Sequence, residues 1–189
     1  MPSEVIVLPA DSPEAQKLDA LHALMREIRG TSIDQAIWID VFVTDMLASF
    51  FCADKERRAL LSSDVLAGRD ASFSGRLEVL ERIARKWFPE FLSSHGRLFE
   101  QLDKIRRFRN RLAHSRLDTT EAILAKEYTD RIQLIFNENG AEKTQVVTVT
   151  EFEERLKEGT EVTYSLLELQ QLISPNHAFK ADVPEGTRP

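Results

Sequence analysis

The chain holds one cysteine, seven glycines and seven prolines in 189 residues. Cys52 alone cannot build an intramolecular disulfide framework or a cysteine-based zinc site, and it fits a reducing cytosol. No apolar run is long enough to cross a bilayer. The greasiest stretch, residues 37–51, contains Asp40, Thr44 and Asp45 and falls short of the ~20 residues a spanning helix needs. The opening Met1-Pro2-Ser3-Glu4 lacks the basic start and apolar core of a secretory signal. Positive charge is not in excess either: 25 Lys and Arg face 31 Asp and Glu, for a net charge of −6. Global attraction to nucleic acid or to an anionic membrane is therefore not expected, and any such binding has to use a local patch. The sequence has no P-loop, dinucleotide fingerprint, HExxH pair or nucleophile elbow. It has no internal repeat, heptad array or low-complexity tract. These absences predict a soluble cytoplasmic protein that stays off membranes and carries no metal or cofactor.

What is present is mostly helical pattern. Residues 1–11 read as loose. Ser12-Pro13-Glu14 is a helix start, with Ser as N-cap, Pro in the first turn and an acid at the positive end of the dipole. Leu18, Leu21, Met25 and Ile28 recur at helical spacing, His22 lies beside them as a surface residue, and Gly30 is expected to close the helix. Thr31-Ser32 with Gln35 predicts a second start and a helix to about residue 53. Its principal stripe is Ile33, Ile37, Leu47 and Phe51, with Asp40 and Thr44 falling inside it. Residues 54–72 read as a polar, partly helical connection ending near Gly68-Arg69-Asp70. A helix from Ser72 to Pro89 carries Phe73, Leu77, Leu80, Ile83 and Trp87, and Arg76 falls among these apolar positions. A long helix over 93–114 follows, then a short one from Thr119-Thr120-Glu121 through Lys126. From residue 131 the period becomes two, and Asn139-Gly140 between alternating segments predicts a β-hairpin. Thr150 with Glu153 predicts a short helix that Gly159 stops, before a last one from Tyr164 to Ile173. The tail from Pro175, His177 included, reads as disordered. The expected fold is a mostly α bundle of four or five helices over 12–130, with a β-hairpin and two short helices added over 131–174.

The chemistry concentrates at the end of the long helix. Leu98, Leu102, Ile105, Arg109 and Leu112 form one seam, which places Arg109 in the apolar stripe. A guanidinium there needs an anion, either a buried carboxylate or a bound phosphate. Asp40 is the acid that falls inside another core stripe. A polar network of Asp40 with Arg109, shared by Arg76, is therefore expected. Asn110 and His114 stand one turn apart, where a hydrogen bond between them would fix the imidazole tautomer. Equally, the two residues simply cap the helix end. Arg109 and His114 diverge by roughly 140° on a straight helix, so their convergence requires a second copy of the chain. Arg106, Arg107, Arg111 and Arg116, with Lys104, make a basic island in an acidic chain. That island either holds a phosphate backbone or complements the helix dipole and nearby acids.

Arg109-Asn110-x-x-Ala113-His114 at the end of a long helix resembles the signature of HEPN domains, small helical bundles many of which are metal-independent RNases. The resemblance implies a composite site formed by two facing domains. In it Arg109 stabilises the scissile phosphate, Asn110 orients, and His114 activates the 2′-OH or protonates the leaving group. Ser72-Phe73-Ser74-Gly75-Arg76-Leu77 ahead of that motif also resembles the mannitol operon repressor family. That likeness implies a non-catalytic regulator or protein-interaction module in which Arg109 and His114 are structural. The resemblance covers residues 31–115. Two main expectations follow. The first is an RNA-binding or RNA-cleaving homodimer using Arg109, Asn110 and His114, with Arg106, Arg107, Arg111 and Arg116 on the RNA and a protein partner or antitoxin opposing it. The second is the non-catalytic regulator. A small-molecule-sensing bundle is a third.

Overall fold

The computed structural model describes residue 9, residues 11–68 and residues 71–173. The loose ends expected at 1–11 (Pro9 and Asp11 apart) and 175–189, together with Arg69 and Asp70, lie outside the described residues. The elements run α1 (Pro13–Phe51), α2 (Lys55–Leu60), a π-helical turn (Leu61–Leu66), α3 (Phe73–Trp87), α4 (Pro89–Ser94), α5 (Leu98–His114), β1 (Arg116–Leu117), α6 (Glu121–Leu124), β2 (Arg131–Glu138), β3 (Ala141–Thr148) and α7 (Val149–Ile173). The fold is mostly α with one small antiparallel sheet.

Two helices expected as pairs are single. Gly30 does not end α1, because one buried stripe runs through it: Leu21, Met25, Ile28, Ser32, Ala36, Ile39, Val43 and Met46 recur every three or four residues. The ~1 kcal/mol that a mid-helix glycine costs is small beside the burial of even one such leucine or isoleucine. The register differs from the expected one as well. Ile37 and Phe51 are 47% and 58% exposed, while the small Ala36 and Ser32 are buried. Leu47 and Thr44 of the expected stripe are buried all the same, so the buried face is shifted and not opposite. α7 likewise runs unbroken through Gly159. Its capping box lies two residues earlier than expected, with the Glu151 amide donating to Thr148 Oγ1 (3.1 Å) and the Thr148 amide donating to Glu151 Oε2 (3.0 Å). Gly159 is needed for space instead: a Cβ there would run into the Gln35 side-chain amide. The long helix expected from residue 93 begins at Leu98, because Pro89 opens the separate α4 as its first residue.

The chain divides into two compact units, each assembled from distant segments. The first comprises residues 1–33 and 108–156. Here the first half of α1, the end of α5, α6, the sheet and the start of α7 enclose Leu21, Met25, Ile28, Phe108, Leu112, Ile132, Leu134, Val147 and Phe152. The sheet order is β1-β2-β3, all antiparallel, with Leu117 opposite Leu134 and Ile132 opposite Val147. Asn139 (φ 53°) and Gly140 (φ 78°) both adopt the left-handed conformation, as a two-residue hairpin turn requires. The second unit comprises residues 34–107 and 157–189. It is a helical bundle whose core joins Ile39, Val43, Met46 and Leu47 of α1 to Leu80 and Ile83 of α3, Leu98 and Leu102 of α5, and Val162, Leu166 and Leu169 of α7. Ser72 caps α3 by accepting from the Gly75 amide (3.1 Å), at the residue where the helix was expected to begin.

The two mid-helix glycines should respond oppositely to alanine. Gly30 is exposed, with nothing within 4 Å of a built Cβ, so Gly30→Ala is expected to stabilise by about 0.5–1 kcal/mol. Gly159→Ala must displace Gln35 and is expected to destabilise by about 1 kcal/mol. Urea unfolding of the two variants checks both signs.

Candidate functional site

Within the second unit, α3 projects Arg76 into the core, where only 8% of its side chain is exposed. Its Nε donates to Asp40 Oδ1 at 3.0 Å and a second guanidinium nitrogen reaches the same oxygen. The remaining terminal nitrogen donates to the carbonyl oxygens of Leu66 and Ala71. One side chain therefore ties α1, α3 and the last part of the connection between them. This rigid fork serves three acceptors at once, which an ammonium on a flexible stem does poorly. Thr44, buried in α1, donates to the Asp40 carbonyl (2.8 Å).

Arg109 is differently placed from the expectation. Leu98, Leu102, Phe108 and Leu112 are the buried residues of α5, so Phe108 fills the seam position that the four-and-three count assigned to Arg109. The guanidinium is half-buried beside the seam, and its Nη1 donates to Asn110 Oδ1 at 3.0 Å. The expected Asp40–Arg109 pair is replaced by Asp40–Arg76, because Arg76 already occupies the carboxylate. Among the described residues no carboxylate lies within ion-pair distance of Arg109.

The end of α5 lies in the first unit. His114, its last residue, is exposed and has no hydrogen-bond partner among the described residues. The expected Asn110–His114 bond is not present, since the Asn110 carbonyl faces Arg109. Arg111 donates to Gln145 Oε1 (2.7 Å) and its guanidinium carbon stands 5.0 Å from the centre of the Phe136 ring. Arg116 reaches Glu142 at 3.3 Å across two exposed side chains. Arg29 of α1 donates to the carbonyl of Ser115 (2.7 Å), the residue after His114, and its buried Nε has no partner. Nothing in the sequence pattern pointed to Arg29, because its target is a backbone oxygen 86 residues away. Among the described residues, Arg29, Arg109 and Arg111 have no carboxylate within ion-pair distance.

The rest of the basic island is paired with acids of α5. Arg106 and Arg107, in the second unit, share Asp103 (Nε at 3.0 and 2.7 Å from its oxygens). Lys104 binds Glu100 at 2.7 Å, a hydrogen bond that holds the Glu100 carboxyl below the usual range. Arg106 and Arg107 line an open groove of about 420 Å³ together with Glu78, Glu81, Glu100 and Asp103. Four carboxylates there oppose a phosphate backbone. His95, which the sequence did not single out, is also engaged. It stacks on Phe91 (4.2 Å between centroids), its Nδ1 lies 3.1 Å from the Phe91 carbonyl, and its Nε2 lies 3.3 Å from Glu168.

Among the described residues no group of three or more His, Cys, Asp or Glu side chains is placed to hold a metal ion, and no helix is long and apolar enough to cross a membrane. Family models, curated proteins and solved structures all return no match to the chain.

The two arginines of the expected network should separate in a stability experiment. Arg76→Met leaves Asp40 and two carbonyls unpaired and is expected to cost about 2 kcal/mol or more. Arg109→Met removes a bond to a neutral amide and is expected to cost less than about 1 kcal/mol. Equal losses in urea unfolding would show that Arg109 has a buried acid after all.

Proposed function

We propose that the protein is a HEPN-type RNA-binding and metal-independent RNA-cleaving protein that acts in the cytoplasm as a homodimer. The carrying observation is that Arg109 is half-buried, held by Asn110 and without an acid, on the same helix end as an exposed and unpartnered His114. A cation that no carboxylate satisfies is suited to a phosphate, and bidentate guanidinium contact suits a phosphoryl group in particular. An imidazole free at both nitrogens can take the 2′-OH proton or protonate the leaving oxygen, and attack by the 2′-OH yields a cyclic phosphate without a metal. Asn110 acts by holding the Arg109 fork. Arg111 and Arg29 extend the positive surface, and Arg116 joins it once its exposed pair with Glu142 opens. Arg106 and Arg107 make no contribution to RNA in this reading, because Asp103 and the acidic groove surround them.

The homodimer is supported by a strip on the second-unit half of α1, where Ile37, Trp38 and Val41 are each about half exposed. Large apolar side chains at this spacing cover one flank of the helix and favour a protein surface over water. The same strip supports the second reading, a non-catalytic regulator whose partner, such as an antitoxin or another protein, docks there.

Incubation of the purified full chain with mixed RNA in EDTA tests the enzyme. Cleavage leaving cyclic-phosphate ends is expected, and His114→Ala should reduce its rate by about 100-fold or more. Arg109→Ala should reduce it comparably while leaving the fold intact. Intact RNA after prolonged incubation, or cleavage equal in the His114→Ala variant, would leave the regulator as the better reading.

A further inference from the structure

A second basic group in the first unit lies apart from the α5 helix end. Tyr128 sits half-buried in the connection between α6 and β2 with three cations around its ring. Lys17 Nζ of α1 lies 5.5 Å from the ring centre, Lys126 Nζ 5.7 Å, and the Arg131 guanidinium carbon 5.0 Å. Arg131 is neutralised by a two-pronged bond to Asp130 (2.9 and 3.0 Å). The lysines are not. Neither ammonium lies within ion-pair distance of a described carboxylate, and Glu127, between Lys126 and Tyr128 in sequence, points to solvent. Lys17 is fixed in place by donating to the Leu124 carbonyl (3.0 Å).

Three cations exceed what one ring stabilises. An aromatic ring offers two negative faces, and each exposed cation–π contact is weak. The arrangement brings like charges together with one carboxylate among them, so it is incomplete without an anion. A single-stranded nucleic acid supplies both missing parts, a base to stack on the aromatic ring and phosphates for the ammonium groups. We infer that Tyr128, Lys17, Lys126 and Arg131 form a subsite for single-stranded RNA, in which a base takes one face of the Tyr128 ring in place of the exposed Lys126 ammonium and the adjoining phosphates lie between the two lysines. The inference rests on the RNA reading above and adds to it where a strand is held away from the reacting residues. An orthophosphate or a phosphorylated protein offers charge but no base for the ring.

The test is fluorescence anisotropy of the full-length protein with a fluorescein-labelled 2′-O-methyl oligouridylate, which cannot undergo 2′-OH attack. Tyr128→Leu is expected to weaken binding by about tenfold, and Tyr128→Phe, which keeps the ring, to bind as the unaltered protein does. Changing Lys17 and Lys126 to Gln should flatten the dependence of log K on log salt by about 0.7 per lysine. Neither lysine belongs to the apolar core and a glutamine in place of Lys17 keeps a donor for the Leu124 carbonyl, so the salt slope remains readable even if Tyr128→Leu is unstable. Tight binding that is indifferent to both sets of changes overturns the subsite and leaves the RNA reading standing. Failure of the unaltered protein to bind the oligouridylate overturns both. Inorganic phosphate competing as well as uridine monophosphate would also overturn it, since the base would then contribute nothing.

Discussion

The buried row on α1 is the constraint on which the other elements depend. A helix can bury residues spaced three and four apart only on one side. A row that continues from Leu21 to Met46 therefore keeps the helix going through a glycine and past a plausible second start. Its first part supplies Leu21, Met25 and Ile28 to one core, and its second supplies Ile39, Val43 and Met46 to another. Using Ala36 and Ser32 inward leaves Ile37, Trp38 and Val41 outward. The unusual amount of apolar surface on this helix follows directly from the register that the two cores select.

Charge is allocated as strictly as apolar surface. A buried guanidinium without an anion is costly, and a buried carboxylate without a cation equally so. Arg76 resolves this for Asp40 and adds two carbonyl groups, which holds the connection between α2 and α3 against α3. With that acid taken, Arg109 keeps a neutral partner and part of its exposure. Asp103 and Glu100 neutralise the basic residues one and two turns earlier on α5. A helix that looks uniformly basic in sequence is thus electrostatically quiet over one stretch and unsatisfied over its last turns.

Local chemistry was legible in the sequence, and long-range partner choice was not. The start of α3 at Ser72, the Asn139-Gly140 turn and the inward position of Arg76 follow from residue type and spacing over a few positions, and all three stand in the structure. Gly30 and Gly159 were misread because glycine is a helix stop only when the apolar row also stops, and here both rows continue. The Thr148–Glu151 box was passed over for Thr150–Glu153, which has the same spacing, since the choice depends on where β3 ends. The pairing of Asp40 required deciding between two arginines that both fall near apolar positions. A count of fours and threes cannot separate them when 3.6 residues per turn lets Phe108 or Arg109 occupy the same row. Lys17 and Lys126 belong to different segments of the first unit, so no local pattern groups them around Tyr128.

Neither unit is a continuous piece of chain. Leu21, Met25 and Ile28 leave the ribosome long before Phe108, Ile132 and Val147, the side chains that will cover them. For the time needed to synthesise residues 34–107, several seconds at ordinary elongation rates, the amphipathic start of α1 has no native partner. The nascent chain therefore presents an apolar helical face to whatever surrounds it. The sheet that finally closes over this face has its strands joined locally, by the two-residue turn at Asn139-Gly140. The first unit can therefore close only after residues 108–156, from the end of α5 through the hairpin to the start of α7, have been made.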